Sequence, residues 1–170
     1  GILQWNLNST ISNGVEWRDD LFKLWSNFKL VRFHYSIDSI KEMNSYIRYP
    51  SEWDNQVKTF HRLDNETTDN VEVTIACAVQ ALNVYYLPDL IQWKLEQGFR
   101  KINMWPFGAG GISQHFVYWP AHLNVKVLPE WFKKECRRKY EAWYPWWEAN
   151  WELGIPSWRK GKVEYEQWRS

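Results

Sequence analysis

LVRFHYSIDSIKEMNSYIR, residues 30–48, is the stretch from which the rest of the chain is read. Its first part, residues 30–37, is a β-type run rich in apolar and aromatic side chains. The run ends on Ser36-Ile37-Asp38-Ser39, a cluster typical of a strand end passing into a helix. Open α/β sheets and barrels bind ligands at the carboxyl ends of their strands. A hydroxyl and a carboxylate placed there reach a ligand without being buried unpaired. The same residues also suit a cap, with Asp38 or Ser39 accepting from the first N–H groups of the next helix. The local pattern fits both roles equally.

Toward the amino end, residues 2–10 alternate apolar and polar positions as a strand does and run into the turn Ser12-Asn13-Gly14. A chain that opens inside a strand reads as a piece of something longer. Residues 16–27 predict a packing helix, with Trp17, Leu21, Leu24, Trp25 and Phe28 on one stripe. Toward the carboxyl end, Pro50-Ser51-Glu52 opens a helix carrying Trp53, Val57, Phe60 and Leu63, and residues 64–70, DNETTDN, read as a polar loop. Residues 71–79, VEVTIACAV, predict an interior parallel strand covered on both faces. Leu87-Pro88-Asp89-Leu90 begins a helix that runs to Gln97 and stops at Gly98. Residues 101–105, KINMW, predict the next strand.

Strands and helices alternating at this spacing are the mark of right-handed parallel crossovers. Four βα units make half of an eight-fold barrel or most of a small doubly wound sheet. After Phe107 the alternation stops. Residues 108–111 are glycine-rich but lack the spacing and the Lys-Ser/Thr pair of a phosphate loop, so they read as a flexible connection. One more extended segment is expected within residues 115–127, then a helix after Pro129 with a basic face broken by glutamates. The chain thus divides into a barrel-like part, 1–128, and a helix with an aromatic-rich tail, 129–170, expected to lie against the barrel.

At 170 residues there is room for one domain. With 21 Lys+Arg against 20 Asp+Glu the net charge is +1, which gives no general pull toward nucleic acid or an anionic membrane. No run approaches the length of a membrane span and no signal segment opens the chain, so a cytoplasmic location is expected. Fourteen tryptophans are the compositional outlier. The two cysteines, Cys77 and Cys136, have no CxxC-type partner, so neither a zinc site nor a disulfide framework is indicated.

The order and spacing of these segments resemble the later strands of the catalytic barrel of the radical S-adenosylmethionine superfamily, in members with a SPASM or shortened twitch segment. Residues 6–14, ending in Ser12-Asn13-Gly14, resemble the third strand and its Thr-Asn-Gly turn. Ser36-Ile37-Asp38-Ser39 with Arg48 resembles the fourth-strand Ser-(Leu/Ile)-Asp-Gly and its downstream Arg, although Ser39 stands where Gly is usual. Residues 78–88, AVQALNVYYLP, resemble the fifth strand and its following loop, and residues 102–107 the sixth strand. The Cys-x3-Cys-x2-Cys loop that holds the cluster is absent from the chain, as is the Gly-Gly-Glu segment.

The resemblance implies a partial TIM-type (β/α) barrel, roughly its third to sixth units, from an enzyme that cleaves S-adenosylmethionine at a [4Fe-4S] cluster to a 5′-deoxyadenosyl radical. It implies an electron donor and a small-molecule or peptide substrate for the parent protein, and no activity for this chain alone. It assigns Ser36 and Asp38 to the ribose hydroxyls or methionyl groups and Arg48 to the carboxylate. Asn13, Gln80 and Asn83 become neutral polar groups on the same rim, with a turn or cap role equally open for Asn13 and Asn83. Two other readings remain: a barrel hydrolase with paired carboxylates, and an aromatic-rich module that stacks on carbohydrate or single-stranded nucleic acid.

Overall fold

The computed structural model describes residues 2–6, 19–102 and 112–154. Four strands, β1 (Ile2–Asn6), β2 (Leu30–Ser36), β3 (Val71–Val79) and β4 (Ile112–Phe116), pair in the order β1-β2-β3-β4. Every pairing is parallel. The helices are α1 (Asp19–Trp25), α2 (Lys41–Ile47), α3 (Trp53–Glu66), α4 (Leu87–Glu96) and α5 (Glu130–Asn150), with short 3-10 turns after β3 and around α5. The chain is therefore mixed α/β, built on a small parallel sheet.

Alternation along the strands decides which way each face looks. In β3, Val71, Val73, Ile75, Cys77 and Val79 are buried, while Glu72, Thr74, Ala76 and Ala78 are only half-buried. In β2, Val31 and Tyr35 are buried, whereas Arg32 is exposed and His34 and Ser36 are half-buried. The buried set meets the helices. Tyr35 lies 4.4 Å, centroid to centroid, from Phe60 of α3, Trp53 of α3 lies 4.9 Å from Trp93 of α4, and Phe60 lies 6.0 Å from Phe99. The expectation that β3 is covered on both faces is corrected: among the described residues helices close one face, and the other carries polar and small side chains.

The predicted strand at 101–105 is corrected as well. Lys101 and Ile102 lie in a bend and a turn, residues 103–105 are outside the described residues, and the strand beside β3 is Ile112–Phe116. The reason is Asp64. Its carboxylate accepts from the backbone N–H groups of Arg100 (2.9 Å), Lys101 (2.6 Å) and Ile102 (3.3 Å), so those donors are taken by the end of α3 and not by a ladder. The Lys101 ammonium adds bonds to the Thr67 carbonyl, the Thr67 hydroxyl and the Thr68 carbonyl. Asp64 is thus a buried anchor inside α3 and not part of a loop, which begins only at Thr67.

Other boundaries follow local chemistry. Gly98 takes φ +64 just after α4, the left-handed conformation that suits glycine past a helix end. Asn70 ties the end of α1 to the start of β3, its side-chain amide donating to the carbonyls of Trp25 (2.9 Å) and Phe28 (2.7 Å). On α1, Phe22 and Trp25 are buried but Leu24 is exposed, so the packing stripe is narrower than the one read from sequence.

The helix after Pro129 extends to Asn150, well past the polar stretch that suggested it. It docks on the turn after β3: the Tyr140 hydroxyl donates to the Val84 carbonyl (2.7 Å), Lys139 pairs with Asp89 and sits 4.3 Å over the Tyr85 ring, and Phe132 lies 5.7 Å from Tyr85. Trp143, Trp146 and Trp147 are half-buried against the core. Among the described residues no helix is long and apolar enough to cross a membrane.

Candidate functional site

The loops leaving β2 and β3 at their carboxyl ends bring Asp38, Arg48, Gln80 and Asn83 together. Asp38 is buried. One carboxylate oxygen accepts from the backbone N–H of Ala78 (2.7 Å), and the other faces Nε of Arg48 at 3.0 Å. That approach is a charge pairing off the N–H axis, since Nε makes no aligned hydrogen bond. Burial pushes the Asp38 carboxyl above the usual range, against the opposing pull of Arg48 and of the Ala78 N–H.

Asn83 locks the two loops to each other. Its amide NH2 donates to the Asp38 carbonyl (2.7 Å) and the Ala78 carbonyl (2.9 Å), and its oxygen accepts from the Gln80 N–H (2.8 Å). All its polar atoms are committed to backbone, so the turn role left open by the sequence is the one the geometry gives it. Ser36, the last residue of β2, is half-buried on the face away from the helices. Asn13 lies outside the described residues.

Of the two roles open to Asp38 and Ser39, the cap is not the one they take. The residue preceding α2 is Ile40, and no side chain caps the helix. Instead α2 reaches back: Asn44 Oδ1 accepts from the N–H groups of Asp38 (3.0 Å) and Ser39 (3.2 Å). Its amide nitrogen donates to Gln56 Oε1 (2.7 Å), and Gln56 donates to the Ser51 hydroxyl. Lys41, the first residue of α2, takes φ 50, a strained conformation for a residue with a side chain. Two polar atoms beside the network, Ser39 Oγ and Gln80 Oε1, are buried without a hydrogen-bond partner.

Sequence reasoning missed Asn44 and Gln56. It also missed His34 and His115, which share the face of the sheet turned away from the described helices. The signal for His34 was present: Arg32, His34 and Ser36 alternate with Val31, Phe33 and Tyr35, a period-two pattern with one polar side. His115 is found only from pairing, because it stands opposite Ala78 in the register of β3 and β4.

Neither cysteine is poised for ligation. Cys77 is buried in β3, its thiol pushed far above its ordinary range first by burial and then by the Asp38 charge, and Cys136 is raised by burial on α5. Among the described residues no group of three His, Cys, Asp or Glu side chains is placed to hold a metal ion. Compared with models of known protein families, with curated proteins and with solved structures, the chain matches none.

Proposed function

We propose that the chain supplies the middle βα units, roughly the third to the sixth, of a radical S-adenosylmethionine type barrel, and that its carboxyl rim receives the amino-acid end of that cofactor. The observation that carries the reading is the winding. Four parallel strands lie side by side in sequence order with helices on one face among the described residues. A barrel wall is wound this way, each crossover stepping in the same direction, whereas a doubly wound sheet reverses direction and places helices on both faces.

On this reading the roles at the rim separate. Both Asp38 oxygens are engaged within the protein, so Asp38 is a positioning residue that fixes the guanidinium. Arg48, with Nε on Asp38, presents its remaining fork to the ligand carboxylate. The unpartnered Ser39 Oγ and Gln80 Oε1, with the Ser36 hydroxyl, suit ribose hydroxyls or the methionyl ammonium. When bound at a reduced cluster, S-adenosylmethionine supplies a hydrogen-abstracting radical. The cluster itself does not fit this chain: it needs three thiolates, and two cysteines are present, one of them buried and inert. The reading therefore requires those thiolates from outside these 170 residues, and the chain's own task is to hold the cofactor.

The test is calorimetric titration of the chain with S-adenosylmethionine and S-adenosylhomocysteine, neither of which needs the cluster for its contact with Arg48. Saturable binding is expected, at least tenfold weaker in Arg48→Lys, which keeps a cation beside Asp38 but loses the planar fork. A folded wild type that binds neither compound, or a lysine variant that binds as well, overturns the reading. Anaerobic reconstitution with iron and sulfide is expected to give no stoichiometric [4Fe-4S] spectrum, and recovery of one would overturn the placement of the ligands elsewhere.

One observation favours a second reading. Tyr46, Tyr49, Tyr118 and Trp119 are exposed on segments that follow β2 and β4, surfaces on which a sugar or base stacks. A change in tryptophan emission on adding a neutral oligosaccharide or an oligonucleotide, without binding of S-adenosylmethionine, would favour that module. The hydrolase reading is weaker, because Asp38 meets Arg48 and a backbone N–H and not a second carboxylate.

A further inference from the structure

The two charged side chains of the rim, Asp38 and Arg48, belong to backbone segments that one closed circuit of hydrogen bonds holds together. Asn44 Oδ1 accepts from the N–H groups of Asp38 (3.0 Å) and Ser39 (3.2 Å), and the Asn44 carbonyl accepts from the Arg48 N–H (2.9 Å). Beyond the end of α2, the Ser51 N–H donates to the Arg48 carbonyl (2.8 Å). Gln56 of α3 joins the two halves: Asn44 Nδ2 donates to its Oε1 at 2.7 Å, and its Nε2 donates to the Ser51 hydroxyl. Asn44 and Gln56 are 0 % exposed and Ser51 1 %, so bulk water does not compete for these bonds.

The packing of α2 gives this circuit its weight. A helix of seven residues is marginal without tertiary contacts, and the one residue of α2 that is buried is Asn44. No apolar side chain of α2 is buried, so a polar chain and not a hydrophobic stripe sets where the helix lies. Arg48 is its C-cap, and its guanidinium goes where the end of α2 goes. We propose that Asn44, Ser51 and Gln56 are positioning residues of the rim, acting through the Asp38–Arg48 pair to fix the direction in which the guanidinium fork meets a ligand carboxylate. A planar fork makes two parallel bonds only at one orientation, so a small tilt of α2 costs alignment while the charge stays nearby. The inference goes beyond the proposed function by adding residues outside the rim, and it rests on that reading only for the identity of the carboxylate.

The test uses the whole chain and Gln56→Met, which keeps the length of the side chain and removes both bonds. Calorimetric titration with S-adenosylhomocysteine is run on the wild type, Gln56→Met, Arg48→Lys and the double variant. Gln56→Met is expected to weaken binding about tenfold, and to add less than about twofold in the Arg48→Lys background, where the fork it aligns is already gone. Leu63→Val, two turns along α3 in the core, controls for general loosening and is expected to bind within about twofold of wild type. A second measurement needs no ligand. Arg48 Nε is buried, 3.0 Å from Asp38, so its N–H resonance is expected to be protected from solvent exchange in wild type and Leu63→Val and lost in Gln56→Met. If Gln56→Met does not fold, Ser51→Ala, which removes only the last hydroxyl of the circuit, is read in the same way. A protected Arg48 Nε–H in the folded variant overturns the positioning role, as does a loss of affinity that adds in full to that of Arg48→Lys or appears equally in Leu63→Val. A wild type that binds no S-adenosylhomocysteine overturns the proposed function, and the resonance still decides the positioning role.

Discussion

Replacing Arg48 with Met removes the cation that keeps the buried Asp38 carboxylate charged, and the cost should depend on pH in a way that a simple packing defect would not. Asp38 is buried, its carboxylate has two partners, and burial already pushes its pKa up. Without Arg48 the desolvation cost stands against the Ala78 N–H alone, so the native carboxyl binds a proton that the unfolded chain has released. Native pKa above unfolded pKa means stability falls as pH rises from about 4, the unfolded Asp value, toward the new native value. About three pH units separate that start from pH 7, at about 1.4 kcal/mol each, so the proton linkage is capped near 4 kcal/mol. The wild type already carries part of this slope, and a loss of about 3 kcal/mol at pH 7 is expected, in the range found when one partner of a buried pair is removed. Toward pH 4, where the unfolded carboxyl takes up its own proton, the linkage vanishes and the difference should shrink below about 1 kcal/mol. Urea unfolding followed by tryptophan fluorescence at several pH values measures it. A penalty of the same size at pH 4 and pH 7 would refute the reasoning, since the charge on Asp38 would then not be what Arg48 compensates.

Two further outcomes test the surrounding structure. Asn83→Ala deletes three hydrogen bonds, two of them buried, to backbone groups of the β2 and β3 loops and should cost about 3 kcal/mol in urea unfolding at unchanged m-value; a cost below about 1 kcal/mol would mean the loops hold without it. Lys94, fully buried in α4, has its ammonium pushed down to about 7 by burial. The unfolded chain binds that proton more tightly, so wild-type stability should rise between about pH 7 and 10 at about 1.4 kcal/mol per unit. Lys94→Met should flatten that rise and be the more stable protein at pH 7, and an unchanged slope in the variant would assign the pH dependence to another group.

Several elements were legible in the chain because their signals are local. The apolar runs of β2 and β3, the proline at the start of α4, the glycine after it and the proline before α5 each express a preference of a few neighbouring residues. Of the candidate residues, a strand end rich in polar side chains marked Ser36 and Asp38 for the same reason, whereas Arg48 was named only by the family resemblance. What misled was also local. Residues 101–105 have strand composition, yet the carboxylate of Asp64, nearly forty residues earlier, claims the N–H groups of Lys101 and Ile102. Periodicity within a segment holds no information about such a partner.

The sequence by itself determined the alternation of strand and helix and the polar character of one side of β2, since backbone geometry and side-chain period act within a few residues. Only the tertiary structure decided that the strands lie in the order β1 to β4, that Asp38 spends both oxygens on Ala78 and Arg48, and that His34 and His115 share one face of the sheet. Those outcomes depend on the register of strands joined by long crossovers. A shift of one residue in any pairing would have turned the same side chains to the opposite face.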